Sequence, residues 1–557
     1  MRRLSAVIPQ GLILLACNMV LVACGGGGSS SSGTTPSGPD LTQPAAPLVR
    51  VTGNSPYAAN CGGASSGGVS YEDAEVEPYE AVNPANPSNV IGVWQQDRWS
   101  DGGAHGLVAG YSMDGGKTWK EQPLALSVCG GGNVSNSANY GRASDPWVSF
   151  SPDGTAYAIS ISFSGDTLAP GSSGGVLVVR SADGGASWSG PTVLIADGPS
   201  AFNDKESITA DPNDSHYAYA VWDRLTVSDT GATNFSRTTD GGTTWEAAKP
   251  IYDPGVDNQT IGNEVVGLTD GSIVDVFEEI DGTSGNAASG NIRLVRSTDH
   301  GATWSTPVTV AADLSVGTFD PDTGMSIRAG AALPPAAAAP GGGLVVVWQD
   351  GRFSNGQRDD IALARSTDGG LTWSQPVEVN SVHSTPAFTP SVAILTDGTI
   401  GVSYFDFRKN TPDKTTLPTD YWFTSSTDGV HWSEQHISGS FDLDLAPDAE
   451  GLFLGDYQAL SAIGNAFVPF YVQTSDAGTA DRNDAYFLPP QPKPLTLLHE
   501  AVHVASVAGT AGTLRVDAAF RSRIHENLMH LLRGENPGWD KVVAARRSTA
   551  RTTPSSL

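Results

Sequence analysis

Four arginines stand at equivalent places in four similar stretches of this 557-residue chain. Each follows an aromatic-rich run typical of a β-strand, and an aspartate closely precedes each of them. Guanidinium groups bind carboxylates through paired hydrogen bonds, so arginines gathered on one surface suit an acidic ligand. In a repeat they equally suit Asp–Arg pairs between neighbours. The stretches are Trp94-Gln95-Gln96-Asp97-Arg98, Trp222-Asp223-Arg224, Trp348-Gln349-Asp350-Gly351-Arg352 and Tyr404-Phe405-Asp406-Phe407-Arg408.

Carboxylates and one tyrosine form a second set of candidates, at the starts of the strands that precede such stretches. Two carboxyl groups, one protonated and one ionised, can perform acid and base catalysis on a glycosidic bond. The set comprises Asp145, Asp204, Glu206, Glu264, Asp456 and Tyr457.

One further pattern belongs to metal chemistry. His499-Glu500-Ala501-Val502-His503 matches H-E-x-x-H, in which two histidines one helical turn apart bind zinc. Pro492 and Pro494 stand just before it, where the required helix would begin. His525, Glu526 and His530 follow, but none is an obvious third ligand. We therefore predict no metal site and no cofactor.

Six copies of one turn sequence indicate the elements that must position these residues. Ser112-Met113-Asp114-Gly115-Gly116-Lys117-Thr118-Trp119 recurs with steps of 69, 57, 59, 69 and 60 residues between its aspartates. The aspartate can accept backbone N–H bonds in a tight turn, glycine supplies a positive φ, and tryptophan buries a large apolar surface. These roles are structural. The aspartates of these six box turns are Asp114, Asp183, Asp240, Asp299, Asp368 and Asp428.

The repeats predict an all-β propeller over residues 47–489, because each contains four strand-like segments that would form one antiparallel blade. Six complete units begin near Glu75, Asp145, Asp204, Gly262, Ile327 and Pro390. A seventh unit without a box turn runs from Gly455 to Phe487, and Leu48-Val49-Arg50-Val51 is available as its missing strand. We favour seven blades, with six as the alternative.

The turn Ser-x-Asp-x-Gly-x-Thr-Trp is the Asp box, or BNR repeat, so residues 75–487 resemble the sialidase-type propeller family. The resemblance implies three arginines that grip a substrate carboxylate, a tyrosine nucleophile activated by a glutamate, and an aspartate as acid/base. It places the site on the rim opposite the box turns. The residues available for these roles are Arg98, Arg224, Arg352 and Arg408 for the grip, Tyr457 with Glu206 or Glu264 for the nucleophile, and Asp145 for the acid.

Two functions follow from the resemblance. The first is an exo-α-sialidase-like glycoside hydrolase that acts on acidic glycans. The alternative is a non-catalytic propeller that binds glycan or protein at the cell surface. The Arg-Ile-Pro signature of sialidases is absent before the first box turn. A pocket with a buried Tyr–Glu pair and three converging arginines would favour the enzyme, and a rim of Asp–Arg pairs would favour the binder.

The N-terminus predicts export and lipid anchoring. Arg2 and Arg3 precede an apolar stretch from about Leu12 to Ala23, and Cys24 follows it. The order resembles a bacterial lipoprotein signal, which implies cleavage before Cys24 and acylation of that residue. We expect a signal peptide at 1–23, a Gly/Ser-rich tether at 24–46 and a lipid-anchored protein of the cell envelope, at the outer membrane or cell surface.

The remaining features concern cysteines, charge and the tail. Cys61 and Cys129 form an even pair in an oxidising compartment, which predicts a disulfide between them. A net charge of −28 argues against a nucleic-acid partner. Residues 490–557 form an appendage, which we expect to be a short helix, from the helix-like spacing of Ala518 to Leu532, with a disordered basic end from Arg546, or else disordered throughout. We expect a monomer whose partners are a glycan or a surface protein.

Overall fold

The computed structural model describes residues 47–58, 60–62, 68–227, 231–282, 288–475, 482–490, 501–506 and 514–535. The signal segment 1–23, the tether 24–46 with Cys24, and the basic end from Arg546 lie outside the described residues.

Seven antiparallel meanders contain most of the described strands, and their strands follow chain order. A short strand, β1 (Val49–Arg50), comes first. Meander 1 contains β2 (Ser70–Val82), β3 (Val90–Trp99), β4 (Ala104–Ser112) and β5 (Lys120–Pro123). Meander 2 contains β6 (Arg142–Phe150), β7 (Ala156–Ser164), β8 (Ser173–Ser181) and β9 (Thr192–Asp197). Meander 3 contains β10 (Ala201–Ala210), β11 (Ala218–Thr226), β12 (Ala232–Thr238) and β13 (Lys249–Tyr252).

The later meanders follow the same plan. Meander 4 contains β14 (Gln259–Gly267), β15 (Ile273–Asp281), β16 (Ser289–Ser297) and β17 (Val308–Asp313). After β18 (Thr318–Phe319) and β19 (Ser326–Arg328), meander 5 contains β20 (Ala336–Ala339), β21 (Gly343–Asp350), β22 (Asp360–Ser366) and β23 (Val377–Glu378). Meander 6 contains β24 (Ala387–Ile394), β25 (Ile400–Asp406), β26 (Pro418–Ser426) and β27 (His431–Asp442).

The last meander is completed from the start of the chain. After β28 (Leu452–Phe453), which pairs with β19, meander 7 contains β29 (Ala459–Ile463), β30 (Ala466–Thr474) and β31 (Asn483–Phe487). Its fourth strand is β1, which pairs antiparallel with β31 through Val49 opposite Phe487. Strand β1 therefore supplies the fourth strand that the seventh unit lacks in its own stretch of sequence.

The first strands of the meanders form a ring. Each contacts the first strand of the next meander, and β29 of meander 7 contacts β2 of meander 1. The core follows the same cycle, because successive apolar clusters join neighbouring meanders and one cluster joins meanders 6 and 7 to meander 1. This is an all-β fold of the propeller type, with the first strands innermost.

Each of the first six meanders carries a box turn between its third and fourth strands. In the turn at Asp299, the carboxylate accepts hydrogen bonds from the backbone N–H of Thr303 at 2.9 Å and from its hydroxyl at 2.6 Å. These bonds lower the pKa of Asp299 to about 2. The second glycine of a box turn lies against the preceding meander, and at Gly116 the neighbour is Phe487 of meander 7. The box turns therefore fasten one meander to the next.

The C-terminal part adds a strand and a helix. Strand β32 (Ala501–Val504) pairs antiparallel with β27, so part of the expected appendage belongs to meander 6. Helix α1 (Ala518–Glu535) covers the helix expected over 518–532. Short 3₁₀ turns lie at Val134–Asn136, Pro340–Gly342, Gly351–Ser354 and Leu443–Leu445. No helix among the described residues is long and apolar enough to cross a membrane.

Cys61 and Cys129 form a disulfide with 5.6 Å between their Cα atoms. It ties the segment before β2 to the loop after β5.

Candidate active site

The inner strands carry β-bulges near the centre of the ring. Each bulge shifts the register with the second strand and turns one residue into positive φ. Among these residues are Glu77 at φ 53°, Asp145 at φ 55° and Lys205 at φ 45°, which all carry ionisable side chains. Positive φ is costly for residues with a Cβ, and bulges re-aim side chains beside functional sites. The strands thus direct charged groups toward one another at the centre.

Lys205 holds three carboxylates there. Its ammonium nitrogen lies 2.8 Å from Asp456, 3.2 Å from Asp145 and 3.3 Å from Glu77. All four residues are at least 95% buried. Buried charges at such distances require this mutual neutralisation, because the cost of removing each one from water is several kcal/mol.

Two arginines complete this central cluster. Arg328 forms an ion pair with Asp456, and its guanidinium lies 4.5 Å from the ring centre of Phe453. The Arg98 guanidinium lies 4.8 Å from the same ring and donates to Gln95 at 2.8 Å. Three cations and three carboxyl groups thus occupy the centre of the ring.

The central carboxyl groups differ in protonation. Burial would raise the pKa of Asp145, but Lys205 and hydrogen bonds from Glu77 and Ser144 lower it below its ordinary value. Burial raises the pKa of Glu77 well above its ordinary value, and the charge of Asp145 raises it further. The pKa of Asp145 is thus lowered and that of Glu77 raised, a direction that does not favour the acid role expected for Asp145.

A small pocket opens beside this cluster, between the inner strands of meanders 2 to 4. Trp147, Glu206, Glu264, Tyr457 and residues 333–335 line it, and its volume is about 40 Å³. Pockets for small molecules measure roughly 300–1,000 Å³. The pocket as it stands admits water but not a sugar ring.

Burial shifts the pKa of both glutamates in the pocket upward. Burial raises the pKa of Glu206 well above its ordinary value, and the neighbouring charge of Asp145 raises it further. Burial raises the pKa of Glu264 to about 8, although its carboxylate accepts a hydrogen bond from the Ala336 N–H at 3.0 Å. Glu206, with its raised pKa, thus lies on the inner strand adjacent to that of Asp145, whose pKa is lowered.

Aromatic rings form one wall of the pocket. Trp147 stacks on Tyr79 with 3.4 Å between ring centres and meets Tyr457 edge-on at 5.3 Å. The Tyr457 hydroxyl donates to the carbonyl of Pro146 at 3.0 Å, not to a glutamate. Burial raises its pKa well above the ordinary value. Tyr457 is therefore held as a neutral phenol, and the expected Tyr–Glu nucleophile pair is not formed.

The four rim arginines do not converge. Only Arg98 lies in the central cluster. The other three are held by nearby carboxylates that neutralise each guanidinium locally. Arg352 and Arg408 pair within their own meander, and Arg224 of meander 3 pairs with a carboxylate at the end of meander 2. Arg224 pairs with Asp197 at 2.8 Å, Arg352 with Asp350 at 2.6 Å, and Arg408 with Asp406 at 2.5 Å and Glu434 at 2.6 Å.

Three residues of the cluster were not among the candidates from sequence. Lys205 and Glu77 occupy the bulge position of Asp145 in their own repeats, so an alignment of bulge positions would have found them. Arg328 comes from β19, in the long connection before meander 5, which has no counterpart in the other repeats. No repeat-based signal points to it.

Helix α1 covers the rim above this region. Its apolar side chains pack on Leu225, Ile261 and Ile280, which lie at the strand ends opposite the box turns, and on Leu333 of the pocket wall. Five buried residues of the helix belong to this cluster: Phe520, Ile524, Leu528, Met529 and Leu532. Helix α1 therefore packs directly against a residue of the pocket wall, Leu333.

The histidine motif of the tail does not form the helix that zinc binding requires. His503 lies in strand β32 and its Nε2 donates to the carbonyl of Val379 at 2.8 Å. His499 and Glu500 lie outside the described residues. Within the described part of the chain, no group of three or more His, Cys, Asp or Glu side chains is arranged to hold a metal ion.

No protein-family profile matches the chain. Among solved structures, it is similar to a Hadza microbial sialidase at 17% identity, over 59% of this chain and 63% of that one, with a TM-score of 0.40. A Penicillium chrysogenum α-L-arabinanase complexed with arabinobiose matches at 14% identity, over 64% and 92%, with a TM-score of 0.41. A Trypanosoma rangeli sialidase matches at 12% identity, over 80% and 59%, with a TM-score of 0.40. The chain thus spans less than two thirds of either sialidase.

Proposed function

We propose that this chain is a glycoside hydrolase whose acid and base are Glu206 and Asp145. The observation that carries the proposal is the position of these two carboxyl groups on adjacent inner strands, beside a pocket walled by Trp147, in surroundings that shift their pKa values in opposite directions. Environments that push the pKa values of two neighbouring carboxyl groups apart provide one proton donor and one anion at the same pH.

The roles follow from the charges around each group. Glu206 donates its proton to the glycosidic oxygen as the bond to the leaving group breaks. Asp145, whose pKa is lowered by Lys205, stabilises the positive charge that develops on the sugar ring and accepts a proton from the water molecule that bonds to the anomeric carbon, so that glycoside and water give free sugar and alcohol. Trp147 offers an aromatic face for the sugar, and protonated Glu264 donates a hydrogen bond to a sugar hydroxyl.

The charges also favour a class of substrate. A sialoside or uronide needs cations that are available for its carboxylate, as the sialidase resemblance implied. Lys205 and Arg328 already contact the carboxylate of Asp456, and the other rim arginines have partners of their own. The proposed substrate is therefore a neutral glycoside.

Substrate entry requires a larger pocket. Leu333 forms part of the pocket wall and also packs against helix α1. Displacement of α1 would free that wall to move. We infer that substrate binds to a state in which the helix has shifted, as lids do in other enzymes.

A second function has its own support. Arg224, Arg352 and Arg408 form the Asp–Arg pairs expected of a non-catalytic propeller, and Lys205 and Arg328 of the central cluster are paired with Asp456. A propeller that binds glycan without turnover is therefore the alternative.

Two further expectations complete the proposal. The seven meanders in their ring would be seven blades, closed by β1. The chain would stand on the cell envelope, at the outer membrane or surface, through a lipid on Cys24.

The experiment uses the purified protein and chromogenic glycosides. Neutral pentosides and hexosides are tested beside a sialoside and a uronide. Glu206→Gln and Asp145→Asn should each lower kcat/KM on a neutral glycoside by about 10²–10⁴-fold. Glu246→Gln, at a half-exposed site on the box-turn side, is the matched control and should leave the rate unchanged.

A second readout identifies the acid. A dinitrophenyl leaving group needs little protonation, so Glu206→Gln should lose much less activity on a dinitrophenyl glycoside than on the corresponding methyl glycoside. An equal loss of activity on the dinitrophenyl and the methyl glycoside would show that Glu206 is not the catalytic acid. Glycan binding without turnover of any glycoside would leave the binding alternative.

A further inference from the structure

A separate set of residues with acyl-transfer chemistry lies on meander 1. Ser70 begins β2, Asp97 stands near the end of β3, and His105 lies near the start of β4. His105 Nδ1 lies 2.9 Å from Asp97 Oδ2, and His105 Nε2 lies 3.5 Å from Ser70 Oγ. Serine, histidine and aspartate are thus connected in the order of a nucleophile triad.

The strands bring these residues together. The β3–β4 register sets Gln96 opposite Gly106 and Arg98 opposite Ala104, so Asp97 faces His105 between them. Asp97 has φ 62°, at a register shift between β2 and β3. A bulge at this position re-aims the carboxylate toward the histidine.

Further hydrogen bonds fix the aspartate. Its carboxylate accepts from Ser55 Oγ at 2.6 Å and from the Asp73 N–H at 2.9 Å. Burial would raise the pKa of Asp97, but the bonds from His105, Ser55 and Asp73 lower it below the ordinary value. An ionised Asp97 at Nδ1 selects the histidine tautomer whose Nε2 is free to accept a proton.

The exposure of the three residues matches the arrangement. Asp97 and His105 are each at least 98% buried, and Ser70 is only partly buried. Trp99 covers the histidine ring edge-on at 5.4 Å. A substrate could thus reach the serine while the base remains shielded from water. The serine–histidine distance is long for a hydrogen bond, as is common before substrate binds.

We propose that Ser70, His105 and Asp97 form a second hydrolytic site, which cleaves small acyl esters. Ser70 Oγ bonds to the ester carbonyl carbon while its proton passes to His105 Nε2. The carbon–oxygen bond to the alcohol breaks, and the alcohol leaves with that proton. Water then repeats the sequence on the acyl-serine, so ester and water give acid and alcohol. Asp97 is a positioning residue that acts through His105.

The test begins with wild-type protein, so it does not depend on a variant that folds. The protein is treated with a fluorophosphonate probe and, separately, with p-nitrophenyl acetate, and peptides are mapped by mass spectrometry. The adduct is expected on Ser70. Absence of an adduct on Ser70 would overturn the proposal.

Variants then test the base. Ser70→Ala should abolish labelling, and His105→Ala should slow it by at least about 100-fold. Ser326→Ala is the matched control, because Ser326 Oγ lies 2.9 Å from His530 Nε2 on the exposed surface, and it should label like wild type. An undiminished rate in His105→Ala would contradict the triad. If His105→Ala does not fold, Asp97→Asn replaces it and should slow labelling and shift its pH profile. Glu206→Gln should retain ester cleavage, which keeps this site separate from the glycosidase.

Discussion

Replacement of Lys205 by methionine tests the central cluster in isolation. Methionine keeps a long apolar stem but removes the ammonium that contacts Asp456, Asp145 and Glu77. Removal of one partner from a buried ion pair costs about 3–5 kcal/mol, since the remaining charge loses its compensation. We expect Lys205→Met to lower the free energy of unfolding by that amount at pH 7.5.

The loss should depend on pH with a definite sign. Burial opposes the ionisation of Asp145 and Asp456, but Lys205 lowers the pKa of both, together with Arg328 at Asp456. Carboxyl groups with a lowered folded pKa stabilise the fold above their unfolded pKa of about 4, and that contribution disappears as the pH falls through the folded pKa. Without Lys205 the folded pKa values rise. The difference between wild type and variant should therefore shrink from pH 7.5 toward pH 4.

Urea unfolding followed by tryptophan fluorescence measures both quantities. Lys117→Met is the control, because Lys117 is exposed in a box turn and its loss should change stability by less than about 0.5 kcal/mol. Asp145→Asn in the Lys205→Met background should recover part of the loss. A loss below about 1 kcal/mol, or one that persists unchanged at pH 4, would refute the assigned charges.

Two other predictions concern packing. Gly116→Ala should destabilise the protein by more than Gly115→Ala. Both positions need positive φ, but only the methyl group added at Gly116 would meet Phe487, at 1.9 Å. Urea unfolding should show an excess loss of about 1–3 kcal/mol for Gly116→Ala, and equal losses would contradict contact between the first and last meanders. Leu528→Ala should weaken the packing of helix α1, and it should therefore raise kcat/KM on a neutral glycoside and speed trypsin cleavage within the helix. The control Leu445→Ala, at a site 39% exposed, should change neither kcat/KM nor the cleavage rate. Faster cleavage without a gain in rate would show that the helix does not limit entry to the pocket.

The strand plan could be predicted because it is local and repeated. Six box turns fix where third strands end and fourth strands begin, and the seventh meander follows the same spacing without one. Val49 and Arg50 supply its outer strand because an unpaired edge strand needs a partner. The helix from Ala518 was visible in its apolar spacing, whereas its docking on Leu225 and Leu333 was not, since contacts between distant segments leave no periodic signal.

The site could be predicted only in part. Asp145 and Glu206 lie at bulges of the inner strands, and Arg98, near the end of β3, belongs to the central cluster. Arg224 does not reach the centre, because Asp197, 27 residues earlier at the end of meander 2, pairs with its guanidinium. Equivalent positions in a repeat share backbone geometry, but each charged side chain pairs with the nearest opposite charge. Arg328 was missed because it enters from an insertion.

The measurement that tests the central claim most directly is the initial rate of neutral glycoside hydrolysis by wild type, Glu206→Gln and Glu246→Gln. We predict turnover by wild type and by Glu246→Gln, with a loss of at least about 100-fold in Glu206→Gln that is much smaller for a dinitrophenyl leaving group. Full activity in Glu206→Gln, or no turnover of any neutral glycoside by wild type, would contradict the proposed acid and base.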